Sequence, residues 1–232
     1  MEINVLASGS SGNAYHITDG GHSLLIEAGI AWPLIRQKLN FQTSALVGCL
    51  ISHEHGDHAK AVKEAMASGI DCYMSKGTAD ALNIGGHRLK VLQPKTPVEV
   101  GSFTVLPFAV RHDAAEPFGY LVAGVSGDKL LYITDSAYSR YRFDGLTHVM
   151  VECNYSLPIL DSNVIAGVIS ADLRNRIVTN HFGLENVVRF LKANRLWRCR
   201  EIYLLHLSSK NSDASAFQRT VAEVTGLPVY IA

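Results

Sequence analysis

The sequence predicts an α/β protein with two β-sheets and helices on their outer faces. Short, continuously apolar runs recur along the chain, amphipathic helical patterns lie between them, and turn signals join neighbouring runs in the middle third. Continuously apolar runs are typical of strands that are covered on both faces. Their alternation with helices favours a layered arrangement around a hydrophobic core.

Nine runs are predicted to be strands, and most of them are apolar at nearly every position. They are INVLAS (3–8), SLLIEAG (23–29), LVGCLIS (46–52), DCYMS (71–75), FTVLPFAV (103–110), KLLYITD (129–135), HVMVEC (148–153), EIYLLHLS (201–208) and PVYIA (228–232). The turn signals at 101–102 and 126–128 predict hairpins in the middle third.

Three segments have the apolar spacing of amphipathic helices, namely 59–68, 184–194 and 214–224. The first is followed by Gly69 and the third by Gly226, and glycine is the preferred residue just after a helix. Apolar residues at i, i+3, i+4 and i+7 predict that each helix packs one face against the core.

Length and composition favour a single domain over residues 1–232. The chain is 47% apolar, and its 21 Lys and Arg residues balance its 21 Asp and Glu residues, so no global charge attracts nucleic acid or anionic lipid. We find no secretion signal and no apolar run of about 18 residues, which predicts a soluble, cytoplasmic protein without a membrane partner. The oligomeric state does not follow from the sequence.

The four cysteines are widely spaced, form no CxxC pair, and are predicted to be buried; they are Cys49, Cys72, Cys153 and Cys199. This pattern indicates neither a disulfide framework nor a thiolate zinc site.

A crowded polar motif, HEHGDH at 53–58, lies between a predicted buried strand and a predicted helix. His53 and His55, two positions apart in an extended segment, face the same side, and Gly56 would permit a tight bend that turns Asp57 and His58 toward them. Imidazole and carboxylate groups suit Zn²⁺ and similar divalent ions. A polar loop with chance histidines is the alternative, but three of the ten histidines lie within these six positions.

Further ligands must come from other parts of the chain if two ions bind. His112, Asp135 and His206 lie at or near the ends of predicted strands, where a composite site would place them. Taken singly, each is equally consistent with a structural role.

Together these motifs resemble those of the metallo-β-lactamase fold superfamily. HEHGDH matches its HxHxDH signature, and four other motifs follow in the same order: LLIEAG (24–29), RHD (111–113), YITDS (132–136) and LLHLS (204–208). LASGSSGNA, VECNYS (151–156) and NHFGLEN (180–186) resemble the compact bacterial and phage branch related to the YycJ/WalJ group, described as DNA exonucleases.

The resemblance implies an αββα four-layer sandwich of two mixed sheets without the β-CASP insertion. It also implies two divalent ions, with Zn²⁺ first and Mn²⁺ or Fe²⁺ as alternatives. His53, His55 and His112 would bind one ion, and Asp57, His58 and His206 the other. Asp135 would bridge them.

Several residues are predicted to act around these ligands. The two ions would share a hydroxide that Asp57 helps to orient. His181 could protonate the leaving group or hold a phosphate oxygen, or it could be a helix N-terminal histidine with a local hydrogen bond. Glu27 replaces the aspartate that is usual in this superfamily and supports the ligands less securely.

Three more residues are assigned a supporting or substrate-binding role: Ser10 and Asn13 in the loop 8–13, and Asn154 in VECNYS. The loop could bind phosphate through its N–H and hydroxyl groups, or it could be only a polar turn.

The predicted function is a dinuclear phosphodiesterase or nuclease. Residues 170–200 are basic, with Arg174, Arg176, Arg189, Lys192, Arg195, Arg198 and Arg200 against Asp172 and Glu185, and Tyr138, Tyr141 and Tyr155 could stack on bases. Solvated helix faces and core packing are the respective alternatives. The rival functions are hydrolysis of small esters, thioesters or lactams, and a non-catalytic metal-binding module.

Overall fold

The computed structural model describes all 232 residues and divides into two compact units. Unit 1 comprises Met1–Ala109 and Ala114–Asp128, and unit 2 comprises Val110–Asp113 and Lys129–Ala232. That residues 1–232 form a single domain stays a prediction.

Unit 1 contains a mixed six-stranded sheet in the order β1-β2-β3-β4-β5-β6. The first three strands are antiparallel and the last four parallel, with β3 belonging to both sets. The strands are β1 (Glu2–Ala7), β2 (Ala14–Asp19), β3 (His22–Ile26), β4 (Leu46–Leu50), β5 (Cys72–Ser75) and β6 (Leu89–Leu92).

The rest of unit 1 consists of one antiparallel set of strands and several short helices. Strands β7 (Val98–Val100), β8 (Phe103–Ala109) and β9 (Phe118–Ala123) pair in sequence order. The helices are α1 (Trp32–Lys38), α2 (Gly56–Ala59), α3 (Val62–Ala67) and α4 (Lys76–Ala81), with a 3₁₀ turn at Thr43–Ala45.

The core of unit 1 follows from the continuous apolar runs. Leu24, Leu25 and Ile26 in β3 have no exposed surface, as expected of a strand that is covered on both faces. On α3, Val62 and Ala65 are buried three positions apart and contribute to the same cluster as Leu25.

Unit 2 contains four parallel strands in the order β13-β12-β11-β10. They are β10 (Lys129–Ile133), β11 (His148–Glu152), β12 (Glu201–Leu205) and β13 (Val229–Ile231). The helices are α5 (Leu157–Ile165), α6 (Ala171–Asn180), α7 (Leu184–Ala193) and α8 (Ala214–Thr225). Ile133 pairs with Val151, and Glu152 pairs with Leu205, so three strands have their carboxyl ends at the same edge.

All nine predicted strands are present, whereas β2, β6, β7 and β9 were not predicted. The three predicted helices are confirmed with altered bounds, since helix begins at Gly56 and the segment 59–68 is divided between α2 and α3. Helices α1, α4, α5 and α6 were also missed. Helix α6 has no fully buried residue, and its core contacts through Ile177 and Val178 are too few to give a recognisable helical period.

The prediction for the cysteines is confirmed, because all four are buried free thiols. No helix has the length and apolar character required to cross a membrane.

Candidate functional site

The histidine turn, residues 52–58, follows strand β4 and runs into helix α2. His53 Nε2 lies 3.1 Å from His55 Nδ1, and the His53 and His58 ring centroids are 4.2 Å apart. Ser52 Oγ lies 2.9 Å from the remaining His53 nitrogen, Nδ1, and fixes the plane of that ring. The structure therefore brings together the three histidines of the motif.

Glu27, which directly follows β3, is hydrogen-bonded to the histidine turn. Its two carboxylate oxygens accept the Ser52 N–H at 3.2 and 3.3 Å, and Oε2 lies 3.7 Å from His58 Nδ1. Glu27 is fully buried and has a φ of 64°, a conformation that costs a non-glycine residue about 1–3 kcal/mol. The carboxylate thus reaches His58 and the turn backbone despite the longer side chain.

Asn13 ties the loop between β1 and β2 to the same turn. Its backbone N–H donates to the Asp57 carbonyl at 2.7 Å, and its Nδ2 lies 3.2 Å from both that carbonyl and His58 Nε2. His58 Nε2 also lies 3.4 Å from Asp57 Oδ2. Ser10 is exposed in the turn between β1 and β2 and forms no hydrogen bond with any predicted ligand. Of the two loop residues, Asn13 alone contacts the ligands.

Gly29 is the glycine on which the turn depends. A Cβ at Gly29 would lie 1.7 Å from the Asp57 carbonyl oxygen and 2.7 Å from the Asn13 nitrogen. Gly56, by contrast, has open space around it and no positive φ. Gly56 therefore permits the predicted bend but is not required for it, because the bend is the start of helix α2, which any residue can adopt.

In unit 2, the predicted ligands lie at the carboxyl ends of parallel strands. Asp135 follows β10 and His206 follows β12, and their φ values are 40° and 53°. Asp135 Oδ1 lies 3.0 Å from His206 Nδ1 and 3.3 Å from His181 Nδ1, while His112 Nε2 lies 4.0 Å from Asp135 Oδ2. The backbone of both strand ends is held in a costly conformation that aims these side chains at one point.

Glu152, the last residue of β11, connects this cluster and was not among the predicted site residues. Its Oε1 lies 2.6 Å from His181 Nδ1 and 3.1 Å from His206 Nδ1, and its Oε2 accepts the N–H groups of Ser136 and Phe182 at 3.1 and 3.0 Å. The carboxylate is fully buried. Its strand-end position was a usable signal, because the same rule selected Asp135 and His206.

Two histidines of the cluster have altered acidity. Burial acts to lower the pKa of His181, but the charge of Glu152 and hydrogen bonds to Asp135 and Glu152 outweigh it and raise the pKa to about 10. Burial lowers the pKa of His112 below its usual value, although Asp135 opposes the change. His112 Nδ1 lies 3.1 Å from the Asn180 carbonyl, which favours a donating Nδ1 and leaves Nε2 toward Asp135.

The positions of three further predicted residues, Asn154, His181 and Tyr155, indicate their roles. Asn154 is buried, and its Nδ2 donates to the His206 carbonyl at 2.9 Å, so it holds the strand end that carries His206. His181 follows α6 directly and precedes α7, rather than lying at a helix N-terminus. Tyr155 is buried with Leu160 and Ile169, which confirms core packing and excludes base stacking for this tyrosine.

The donor set in each unit suits a divalent cation. In unit 2, one ligand atom from each of Asp135, Glu152, His181 and His206 lies within 4.8 Å of the others. In unit 1, three imidazoles and the carboxylate of Asp57 share one turn. Nitrogen and carboxylate oxygen donors without thiolate match Zn²⁺ and other borderline divalent ions.

The chain matches the family model of the beta-lactamase superfamily domain over residues 22–206. This range includes the histidine turn, Asp135 and Glu152, and it extends to His206.

Two curated relatives are exonucleases. The chain is 29% identical over 230 residues to the exodeoxyribonuclease WalJ of Streptococcus pneumoniae, covering 91% of this chain and 83% of that protein. It is 26% identical over 239 residues to the exodeoxyribonuclease YycJ of Bacillus anthracis, covering 97% and 89%.

Among solved structures, the metallo-β-lactamase fold protein YhfI of Bacillus subtilis matches with a TM-score of 0.74. The match covers 99% of this chain and 95% of that chain at 16% identity. This likeness confirms the predicted fold class, with two mixed β-sheets flanked by helices.

Proposed function

Because the chain belongs to the beta-lactamase superfamily, we propose that it is a metal-dependent hydrolase that cleaves phosphodiester bonds in DNA. The cluster around the buried Glu152 carries the proposal, since it places a carboxylate, Asp135, between His181 and His206. The names of the two exodeoxyribonuclease relatives support DNA as the substrate class. A DNA substrate is consistent with the cytoplasmic location that the sequence predicts for the chain.

The ligand assignment is the one that the sequence motifs imply. His53, His55 and His112 would hold one divalent ion, Asp57, His58 and His206 would hold the second, and Asp135 would be a ligand to both. Zn²⁺ is the first choice, with Mn²⁺ and Fe²⁺ as alternatives. Bound ions supply Lewis acidity and lower the pKa of water, which makes hydrolysis possible near neutral pH.

Asp57 is the proposed proton acceptor, and His181 is the proposed proton donor. Asp57 is half-buried on α2, and its carboxylate can accept a hydrogen bond from the attacking water. His181 has Nδ1 fixed by Glu152 at 2.6 Å, so Nε2 is the nitrogen available to the leaving oxygen. Glu152 therefore positions the proposed proton donor, and Glu27 and Asn13 position the histidine turn.

The proposal is tested by incubating the protein with 5′-labelled single-stranded and duplex DNA in Mn²⁺ or Zn²⁺, beside a thioester and a cephalosporin. We expect cleavage of DNA alone. The matched variant Asp57→Asn keeps the size of the side chain but removes its charge, and should lower kcat by at least about 100-fold without changing the circular dichroism spectrum. Cleavage of the thioester or cephalosporin without DNA cleavage would assign the chain to small-molecule hydrolysis instead.

The role of His181 is tested with phosphodiesters of different leaving groups. His181→Ala should slow the cleavage of DNA, whose leaving group is an alkoxide, by about 100-fold or more. It should slow a bis-nitrophenyl phosphodiester far less, because nitrophenolate leaves without protonation. Equal losses on both substrates would contradict proton donation and indicate that His181 acts only on the structure of the site.

A further inference from the structure

A basic and aromatic surface in unit 2 lies outside the ligand cluster. It is formed by residues 137–145, the loop after β10, and residues 189–200, which include the last turn of α7 and the segment that follows. Together these segments contain seven cations and one carboxylate, Asp144, although the whole chain carries no net charge. The cations are Arg140, Arg142, Arg189, Lys192, Arg195, Arg198 and Arg200.

The two segments form one continuous surface because the loop is fastened along α7. Asn186 Nδ2 donates to the Ala137 carbonyl at 3.2 Å, and the buried Asn194 Oδ1 accepts the Phe143 N–H at 2.7 Å. These two asparagines are eight residues apart, which corresponds to about 12 Å along the helix axis. The Phe143 ring also contacts Phe190 of α7, with centroids 6.4 Å apart.

Three cations of this surface are available to an external anion. No carboxylate lies within ion-pair distance of Arg142, Arg195 or Lys192, all of which are exposed, whereas Arg174 on α6 pairs with Asp161. Arg142 and Arg195 line a groove of about 270 Å³ together with Phe143, Asp144 and Ala193. Within the basic segment predicted from the sequence, Arg174 is thus compensated by Asp161, whereas Lys192 and Arg195 have no carboxylate partner.

Exposed aromatic side chains accompany the cations. Trp197 is 75% exposed and Tyr138 is 51% exposed, although both are large enough to gain from burial. The Arg198 guanidinium lies 5.7 Å from the Trp197 ring centroid, and the Arg140 guanidinium lies 5.6 Å from that of Tyr141. Alternating cations and exposed rings are what phosphates and unpaired bases of a single strand require.

The surface begins beside the ligand cluster and leads away from it. Ala137 is two residues after Asp135, and its N–H donates to the Arg111 carbonyl next to His112. The far end lies beyond α7, about 15 Å from its first residue, Leu184. At about 3.4 Å per nucleotide in a stacked strand, this spacing corresponds to roughly four or five nucleotides.

We propose that this surface, centred on Arg142, Arg195 and Trp197, binds the single-stranded segment of a DNA substrate several nucleotides from the bond that is cleaved. The arginines bind phosphates, and Trp197 stacks on a base. This inference rests on the proposed function for the identity of its ligand and extends it by assigning the strand a second contact region.

The test is the binding of a phosphorothioate-linked oligothymidylate of about 16 nucleotides, which resists hydrolysis, to the full-length protein with its metal. Binding is followed by the anisotropy of a fluorescein label. We expect Arg142→Ala/Arg195→Ala to weaken binding and to lower the slope of log Kd against log salt by about 1.4, because two phosphate contacts are lost. Trp197→Ala should weaken binding about tenfold, and Trp197→Phe should restore most of it.

The matched control is Lys38→Ala/Lys63→Ala, which removes two exposed cations from helices α1 and α3 of unit 1. We expect its affinity and salt slope to equal those of the wild type. Wild-type affinity and slope in the arginine variant would overturn the proposal, and so would equal binding of polyglutamate or an unchanged affinity in Trp197→Ala. Cleavage is assayed separately, so binding without any phosphodiesterase activity would reject the proposed function and retain the surface.

Discussion

Glu152 connects the side chains and the backbone of the unit 2 cluster, and each of its oxygens has a separate task. Oε1 orients the two imidazoles of His181 and His206, and Oε2 accepts two backbone N–H groups from the segments that follow Asp135 and His181. One buried carboxylate therefore sets both side-chain and backbone geometry. A carboxylate in this environment is tolerated because every hydrogen-bonding direction has a donor.

Replacing Glu152 with alanine should lower the free energy of unfolding by about 3 kcal/mol, because two buried N–H groups lose their acceptor. Urea denaturation followed by circular dichroism measures the change. Glu152→Gln retains one acceptor oxygen and should lose less. The control is Glu99→Ala, where an exposed glutamate bonds only to Thr104 and the expected change is below about 0.5 kcal/mol. Equal stability of the Glu152→Ala and Glu99→Ala variants would contradict this account.

At the scale of elements, the histidine turn is positioned by the backbone that follows β3. The Ala28 N–H donates to the His58 carbonyl at 2.8 Å, and the Ala61 N–H donates to the Ala28 carbonyl at 2.8 Å. Gly29 lets the two segments approach this closely, since no Cβ lies between it and the Asp57 carbonyl. Because the segment after β3 approaches α2 closely, the Glu27 carboxylate lies next to His58.

Gly29→Ala should separate these segments and lower the free energy of unfolding by more than about 2 kcal/mol, since a backbone atom cannot yield to a Cβ 1.7 Å away. It should also weaken the binding of Zn²⁺ measured by calorimetry. Gly56→Ala, in the motif itself, is the control and should change stability by no more than about 0.5 kcal/mol, because its surroundings are open. If Gly29→Ala had the stability and Zn²⁺ affinity of the wild type, the close approach at Gly29 would not be required.

Element prediction succeeded where apolar patterning was strong and failed where it was weak. Strands β4, β10 and β11 are buried at almost every position, and their continuous apolar runs identified them. Helix α6 has no fully buried residue, and β2 was missed because its polar residues interrupt the continuous apolar runs by which strands were identified. Packing and strand pairing, rather than local propensity, stabilise these elements.

For the molecule as a whole, a net charge of zero conceals an uneven distribution. Seven cations and one carboxylate are concentrated in 137–145 and 189–200, which leaves an excess of carboxylates in the remainder of the chain. The net charge of the chain therefore excludes a global attraction to nucleic acid but does not exclude a local one. The local surface depends on Asn186 and Asn194, which bring the two segments together.

Metal binding should stabilise the folded chain as a whole, because the unfolded chain lacks a preformed site. Zn²⁺ or Mn²⁺ at about 100 times its Kd should add about 2.7 kcal/mol to the free energy of unfolding, which raises Tm by roughly 5–10 °C. Differential scanning fluorimetry with and without chelator measures the shift. Asp135→Asn, which weakens a predicted ligand to both ions, should reduce it. A Tm that is insensitive to divalent ions in the wild type would contradict the metal assignment.

The sequence by itself determined the fold class and the chemical character of the candidate ligands, because apolar runs and the HEHGDH motif are local patterns. Only the tertiary structure revealed the roles of Glu152 and Gly29 and the groups that Asn13 contacts, since these depend on neighbours distant in sequence: His181, Asp57 and His58. A carboxylate, a glycine or an amide has no periodicity that identifies its partner. Its role is fixed when parallel strands end at a common edge and bring these groups within hydrogen-bonding distance.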